Sequence, residues 1–112
     1  MRRDILYLND IVEAADHIAA FITSIDREAF DRSELVRSAV VQKLVIIGEA
    51  AARISEPVRH RYPLVPWPQI VAFRNILVHA YFGIDWDEVW RSARNRCPVL
   101  REQVLEILAS EG

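Results

Sequence analysis

Ala39-Val40-Val41-Gln42-Lys43-Leu44-Val45-Ile46-Ile47 is apolar nearly all round when wound as a helix. Such a helix is covered on more than one side, and in a chain of 112 residues the second cover is another helix or a second subunit. The helical pattern extends outward from this block, from about Ser33 to Ile54. At its start, Asp31 followed by Glu34 suits a capping box, with Ser33 a competing N-cap. At its end, Gly48-Glu49-Ala50-Ala51-Ala52 supplies small residues that let a neighbouring helix come close. Glu49, closing the apolar block, reads as a partly buried carboxylate in a structural salt bridge, with a functional role as the alternative.

Working toward the N-terminus, Asp26 to Arg32 is polar apart from Ala29 and Phe30 and reads as a connection. Before it, Ile5, Leu8, Ile11, Val12, Ala15, Ile18, Ala19, Ile22 and Ile25 recur in steps of three and four, so a helix with one buried stripe is expected from Asp4 to Ile25. Toward the C-terminus, Pro57, Pro63, Pro66 and Pro68 mark Glu56 to Pro68 as the main loop. Arg59-His60-Arg61, with Arg53 just before, could hold phosphates or form an ordinary solvated face. Pro66 or Pro68 then starts a helix that should run to about Phe82 and stop at Gly83 as a C′ residue. Asp85 with Glu88 opens another helix through Trp86, Val89, Trp90 and Ala93, and Pro98 should break or kink it near Cys97. A last helix from Val99 to Ala109 would bury Leu100, Val104, Ile107 and Leu108. No strand-like alternation and no repeat interrupts this pattern. The expected fold is one all-α domain over residues 1–112, an up-and-down bundle of about four or five helices.

Composition narrows the function classes. A hydrophobic content of 52% with three glycines argues for a packed domain, and for an oligomer that hides extra apolar surface. The net charge of −2 excludes a globally basic nucleic-acid binder, so any such contact must use a local patch. The lone cysteine, Cys97, suits a reducing compartment, and no Cys/His cluster has zinc spacing, so neither a metal nor a cofactor is expected. The N-terminus lacks the apolar core of a signal peptide, and no apolar run is long enough for a bilayer. A cytoplasmic protein without a membrane partner is expected.

The candidate site is Phe73-Arg74-Asn75-Ile76-Leu77-Val78-His79-Ala80-Tyr81-Phe82, where polar groups interrupt an apolar helix. With Arg74 at zero on a helical wheel, Phe73, Ile76, Leu77 and Ala80 cluster around about −110° as the expected core stripe. Asn75 at about 100° and His79 at about 140° lie away from it, flanked by Val71, Val78 and Phe82, with Arg74 and Tyr81 at the boundary. A second apolar face implies a further cover, most economically a twofold copy of the chain. Histidine exchanges protons near neutral pH, and arginine grips phosphate oxygens bidentately. This combination suits metal-independent RNA cleavage, in which a ribose 2′-hydroxyl attacks the adjacent phosphorus. The same residues read equally well as structural, with Arg74 in a salt bridge, His79 satisfied in an interface and Tyr81 packed at a helix end.

The pattern Arg-x-x-x-x-His-x-Tyr from Arg74 to Tyr81, with Asn75 after the arginine, resembles the signature of HEPN-domain proteins. More narrowly, it is similar to the HepT toxins of HepT–MntA type VII toxin–antitoxin pairs. Ile47-Gly48-Glu49-Ala50-Ala51, Pro66 to Gln69 and Pro98 before the last helix carry the same resemblance across essentially the whole chain. The resemblance implies a homodimeric helical bundle with the motif facing a cleft between subunits, and metal-independent endoribonuclease activity on tRNA or mRNA. It implies that Arg74 binds and polarises the phosphate, Asn75 positions it, and His79 is general acid or base, with Glu49 a supporting candidate. The implied antitoxin is an MntA-like minimal nucleotidyltransferase that attaches AMP to Tyr81. Arg53, Arg59, Arg61, Arg91 and Arg94 are candidates for gripping RNA. The alternative is a non-catalytic helical dimer that binds a nucleotide or the partner nucleotidyltransferase.

Overall fold

The computed structural model describes residues 2–111, all of them in helices or the short turns between helices, with no strand among them. Helix α1 spans Arg2–Ile22, α2 Arg27–Arg32, α3 Glu34–Ala52, α4 Glu56–Arg61, α5 Trp67–His79, α6 Trp86–Arg91 and α7 Cys97–Glu111. A single 3₁₀ turn, Tyr81–Gly83, follows α5. One turn of π-helix, Ser92–Arg96, runs α6 on into α7 as a continuous rod.

The apolar block of α3 sets the layout. Val40, Val41, Leu44 and Ile47 are buried and Val45 and Ile46 half-buried, because α1 packs along one side of α3 and α5 along another. α7 closes on α1, bringing Leu100, Val104 and Ile107 into the same core. The stripe of α1 is Leu8, Ile11, Ala14, Ala15, Ile18 and Ile22; Ala19, expected in it, is exposed, and the helix ends before Ile25. Arg101 of α7 donates to Asp16 of α1 at 2.5 Å across the outer edge of that contact. Among the described residues, no helix is long and apolar enough to cross a membrane.

The helix ends follow cap chemistry. Ser33, not Asp31, caps α3, its Oγ accepting from Val36 N–H at 3.1 Å. Asp31 instead accepts from Arg27 Nε at 2.8 Å on α2. Asp85 caps α6 as expected, accepting from Asp87 and Glu88 N–H at 3.0 and 3.3 Å.

Four expectations need correction. Residues 27–32 are a helix rather than a connection, because Asp26 caps them and Phe30 drives its fully buried ring against Trp86 and Trp90. Residues 56–61 are also helical, with Pro57 in the first turn, where proline's missing N–H costs nothing. Pro98 does not break its helix: it falls in the first turn of α7, where a missing N–H costs little, and the irregularity near Cys97 is a π turn over Ser92–Arg96. Finally, α5 ends at His79 rather than Phe82: Ala80 leaves helical geometry at φ −128°, ψ 44°, and the chain tightens into the 3₁₀ turn. Gly83 has no positive φ, so it is not a left-handed stop.

Asp4 ties the start of α1 to the start of α4. Its two carboxylate oxygens accept from Ser55 N–H at 2.8 Å and Ser55 Oγ at 2.7 Å, and the residue is buried. Burial pushes the Asp4 carboxyl up, the Ser55 N–H and hydroxyl pull it down, and with nearby positive charge the net result is a carboxyl below its ordinary value. A carboxylate depressed in the native state stabilises the fold fully above its unfolded pKa, and the contribution is lost as pH falls through the native value. We therefore expect Asp4→Ala to cost about 1–3 kcal/mol at neutral pH, with the gap between variant and wild type closing toward about pH 3. Urea melts at the two pH values test this; a gap that persists in acid would show that the charge is not what holds the junction.

Candidate functional site

The motif helix is seated by its N-terminal end. Pro66 and Pro68 flank Trp67, which is buried and donates its indole N–H to Tyr62 carbonyl at 3.2 Å. Leu77 is buried one face along, and Ile70, Val71 and Phe73 pack partly against the core. These residues centre the buried face near Arg74 itself rather than about −110° from it. Ile76 is 52% exposed and Ala80 is exposed, so neither belongs to the expected core stripe.

Arg74 lies in the α3–α5 seam, with its side chain 20% exposed. The seam is close because Gly48 has no side chain: a Cβ there would overlap Arg74 Cβ and stand 2.6 Å from Arg74 Cγ. The aliphatic stem of Arg74 thus fills the place a core residue would take. Its guanidinium reaches Glu49, Nη1 to Oε1 at 3.5 Å, while Nε is buried without a hydrogen-bond partner. Glu49 is paired as expected, although it is exposed rather than partly buried.

Asn75 and His79 stand in solvent on the other side of α5, next to Ile76 and Val78, the latter 48% exposed. Tyr81 is off the helix, in the 3₁₀ turn; its ring is 49% exposed and meets Phe82 edge-on at 5.8 Å, with Phe82 itself fully exposed. The structure therefore brings Arg74 together with Glu49, and leaves Asn75, His79, Tyr81 and several apolar side chains of α5 and its following turn exposed.

The other arginines separate by what they touch. Arg59 donates to Ile54 and Ala52 carbonyls, each at 2.9 Å, closing the C-terminal end of α3. Arg61 donates to both carboxylate oxygens of Glu111 at 3.0 and 2.8 Å; with Tyr62 Oη donating at 2.7 Å, it holds the Glu111 carboxyl below the usual range. Arg91 pairs with Glu88, and Arg94 lies 5.9 Å from the Trp90 ring centroid; both belong to the rod that packs on α1 rather than on α5. Arg53 lies 6.0 Å from the Tyr7 ring centroid, one turn beyond Glu49. Tyr7 and Asp10, which share a groove with Glu49 and Arg53, were missed from sequence. Their signal was an aromatic and an acid three residues apart on the edge of the α1 stripe.

Comparison with known proteins agrees across nearly the whole chain. The family model described as "Ribonuclease HepT-like" matches residues 11–107. A Methanocaldococcus jannaschii protein named "Putative RNase MJ1380" is 38% identical over 104 residues, 92% of this chain and 95% of the relative. A Thermococcus cleftensis protein named "Probable ribonuclease HepT" is 36% identical over 95 residues, 85% of this chain and 86% of the relative. No solved structure matches the chain.

The seam makes a prediction about Gly48, with Gly83 of the 3₁₀ turn as its control. In the interior of α3, alanine is better than glycine by about 1 kcal/mol in helix propensity alone. The overlap with Arg74 should reverse this, so Gly48→Ala is expected to lose about 1–3 kcal/mol net. Gly83→Ala, with nothing within 4 Å of the added carbon and no positive φ, should stay within about 0.5 kcal/mol of wild type. Chemical denaturation of both variants checks this; a stabilised Gly48→Ala would mean that α5 does not sit on α3 through Arg74.

Proposed function

The chain belongs to the HepT-like ribonuclease family, and from that premise we propose that it is a metal-independent endoribonuclease, the toxin of a type VII toxin–antitoxin pair. The observation that carries this reading is the open face of α5 and its following turn, where Asn75, His79 and Tyr81 are solvent-exposed among Ile76, Val78 and Phe82. Several large apolar side chains left exposed beside polar groups mark an interaction face. A twofold partner on that face makes a homodimer and sets two copies of Asn75 and His79 about one cleft, with Arg74 at its edge in the α3–α5 seam.

In that cleft RNA is the substrate. His79 takes the proton of a ribose 2′-hydroxyl, or returns one to the leaving 5′-oxygen. The 2′-oxygen bonds to phosphorus as the bond to the 5′-oxygen breaks, leaving a 2′,3′-cyclic phosphate and a free 5′-hydroxyl. Arg74 stabilises the phosphoryl oxygens in the transition state and Asn75 positions them. The contact with Glu49 orients Arg74. Its 3.5 Å length exceeds the roughly 2.7–2.9 Å of a tight charge-assisted hydrogen bond, which leaves the guanidinium fork open to phosphate. DNA, lacking the 2′-hydroxyl, is not a substrate. The partner is an MntA-like nucleotidyltransferase that attaches AMP to Tyr81, adding negative charge and bulk beside the cleft.

The decisive experiment is expression of the chain alone. Wild type should arrest growth and cleave RNA in vitro, while His79→Ala and Arg74→Ala should relieve the arrest and lower cleavage at least about 100-fold with native helicity retained. Equal toxicity from a folded His79→Ala variant would overturn the nuclease; intact RNA together with tight binding of the nucleotidyltransferase would favour a non-catalytic dimer.

Two further outcomes follow from the same face. Val78→Asp should sediment as a monomer where wild type is a dimer, and should lose cleavage. Co-expression with the nucleotidyltransferase should yield a Tyr81 peptide carrying AMP, which mass spectrometry detects; an adduct unchanged in Tyr81→Phe would place the modification elsewhere.

A further inference from the structure

Beside the Glu49–Arg74 contact, α1 and α3 leave an open groove of about 240 Å³, lined by Tyr7, Asp10, Val45, Ile46, Glu49 and Arg53. That volume is below the roughly 300–1,000 Å³ of pockets that enclose drug-sized molecules, and suits a single flat ring. Glu49 is shared: it walls the groove and also stands 3.5 Å from Arg74. The groove therefore ends where the reading above places the phosphate.

Its lining is built for a planar heterocycle. Tyr7 is half-buried and packed against the core, so its ring is held in place. Arg53 is exposed and lies over that ring at 6.0 Å from the centroid, the outer limit of a cation–π contact, so the pair is not a closed stack. Val45 and Ile46 supply half-buried apolar wall. Asp10 is exposed, and an ionised carboxylate only accepts hydrogen bonds.

We propose that this groove is a nucleobase subsite, which takes the base next to the phosphate held by Arg74. The base rests on the Tyr7 ring, a plane on which any base stacks, and the exposed Arg53 guanidinium, now 6.0 Å from that ring, swings outward to admit it and meets the flanking phosphate. Asp10 accepts from an amino group on the Watson–Crick edge, favouring cytosine, adenine or guanine. Uracil is disfavoured, because it offers one N–H between two carbonyl oxygens that a carboxylate repels. With Arg53 at one end and Arg74 at the other, the phosphates stay at the ends and only the base enters between the carboxylates. The identification of the ligand as RNA rests on the ribonuclease reading.

Short 2′-O-methyl RNA oligonucleotides test this, since they lack the attacking hydroxyl and report binding whether or not the protein is a nuclease. Wild type should bind cytosine, adenine or guanine hexamers more tightly than the uracil hexamer. Tyr7→Leu should weaken binding about tenfold or more, as loss of a stacking platform does. Asp10→Asn should level the preference among bases. Arg53→Ala, a change at an exposed side chain, should also weaken binding and guards against misfolding of the Tyr7 variant. Binding by folded Tyr7→Leu and Arg53→Ala equal to wild type, or no binding by wild type, would overturn the subsite. If those variants bind normally while His79→Ala abolishes cleavage, the subsite fails and the nuclease stands. If wild type cleaves nothing yet binds through Tyr7 with base preference, the nuclease fails and the subsite stands.

Discussion

The contact on which the rest depends is the seating of Arg74 on Gly48. It sets the distance between α3 and α5, and it makes an arginine part of the packing between two helices. A guanidinium whose stem is packed in a seam has less rotamer freedom than one on a flexible stem reaching out from the surface. The cost is a buried Nε without a partner. Unmet donors of this kind are uncommon in native structures.

Charge distribution complements that arrangement. Several of the arginines away from the seam are neutralised nearby: Arg27 by Asp31 and Asp87, Arg61 by Glu111, Arg96 by Glu88, and Arg101 by Asp16. Arg53 instead lies over an aromatic ring, and Arg74 has a long contact to a single carboxylate. A chain with net charge −2 can in this way present positive potential locally without being basic overall.

Periodicity and cap chemistry made much of the fold legible: the all-α class, the long helices, the buried middle of α3, the cap at Asp85 and the need for small residues around Gly48. The short helices were invisible because six residues hold too little of a helical period; Phe30 alone anchors α2. Apolar spacing points to Phe73, Ile76, Leu77 and Ala80 as the buried face of α5, whereas over a glycine the methylenes of Arg74 serve as core and Ile76 and Ala80 are left outside. The early end of α5 had no such warning, since Ala80, Tyr81 and Phe82 all tolerate a helix, and the chain leaves it only through the backbone geometry at Ala80. Of the site, the chemical identities were readable and the pairing of Arg74 with Glu49 was half-readable. The groove was not, because Tyr7 and Asp10 lie some forty residues from the residues they face.

The burial of Cys97 has a consequence for how such a molecule can be controlled. Its thiol is the chain's one cysteine sulfur, and burial pushes it up to about 12, so at physiological pH it is neither a thiolate nor within reach of an oxidant. Peroxide, disulfide exchange and glutathione have nothing there to act on. The phenol of Tyr81, by contrast, stands in the open on a turn of its own beyond the end of α5. The protein is therefore deaf to the redox state of its surroundings at its cysteine, and its accessible phenol lies on a separate turn.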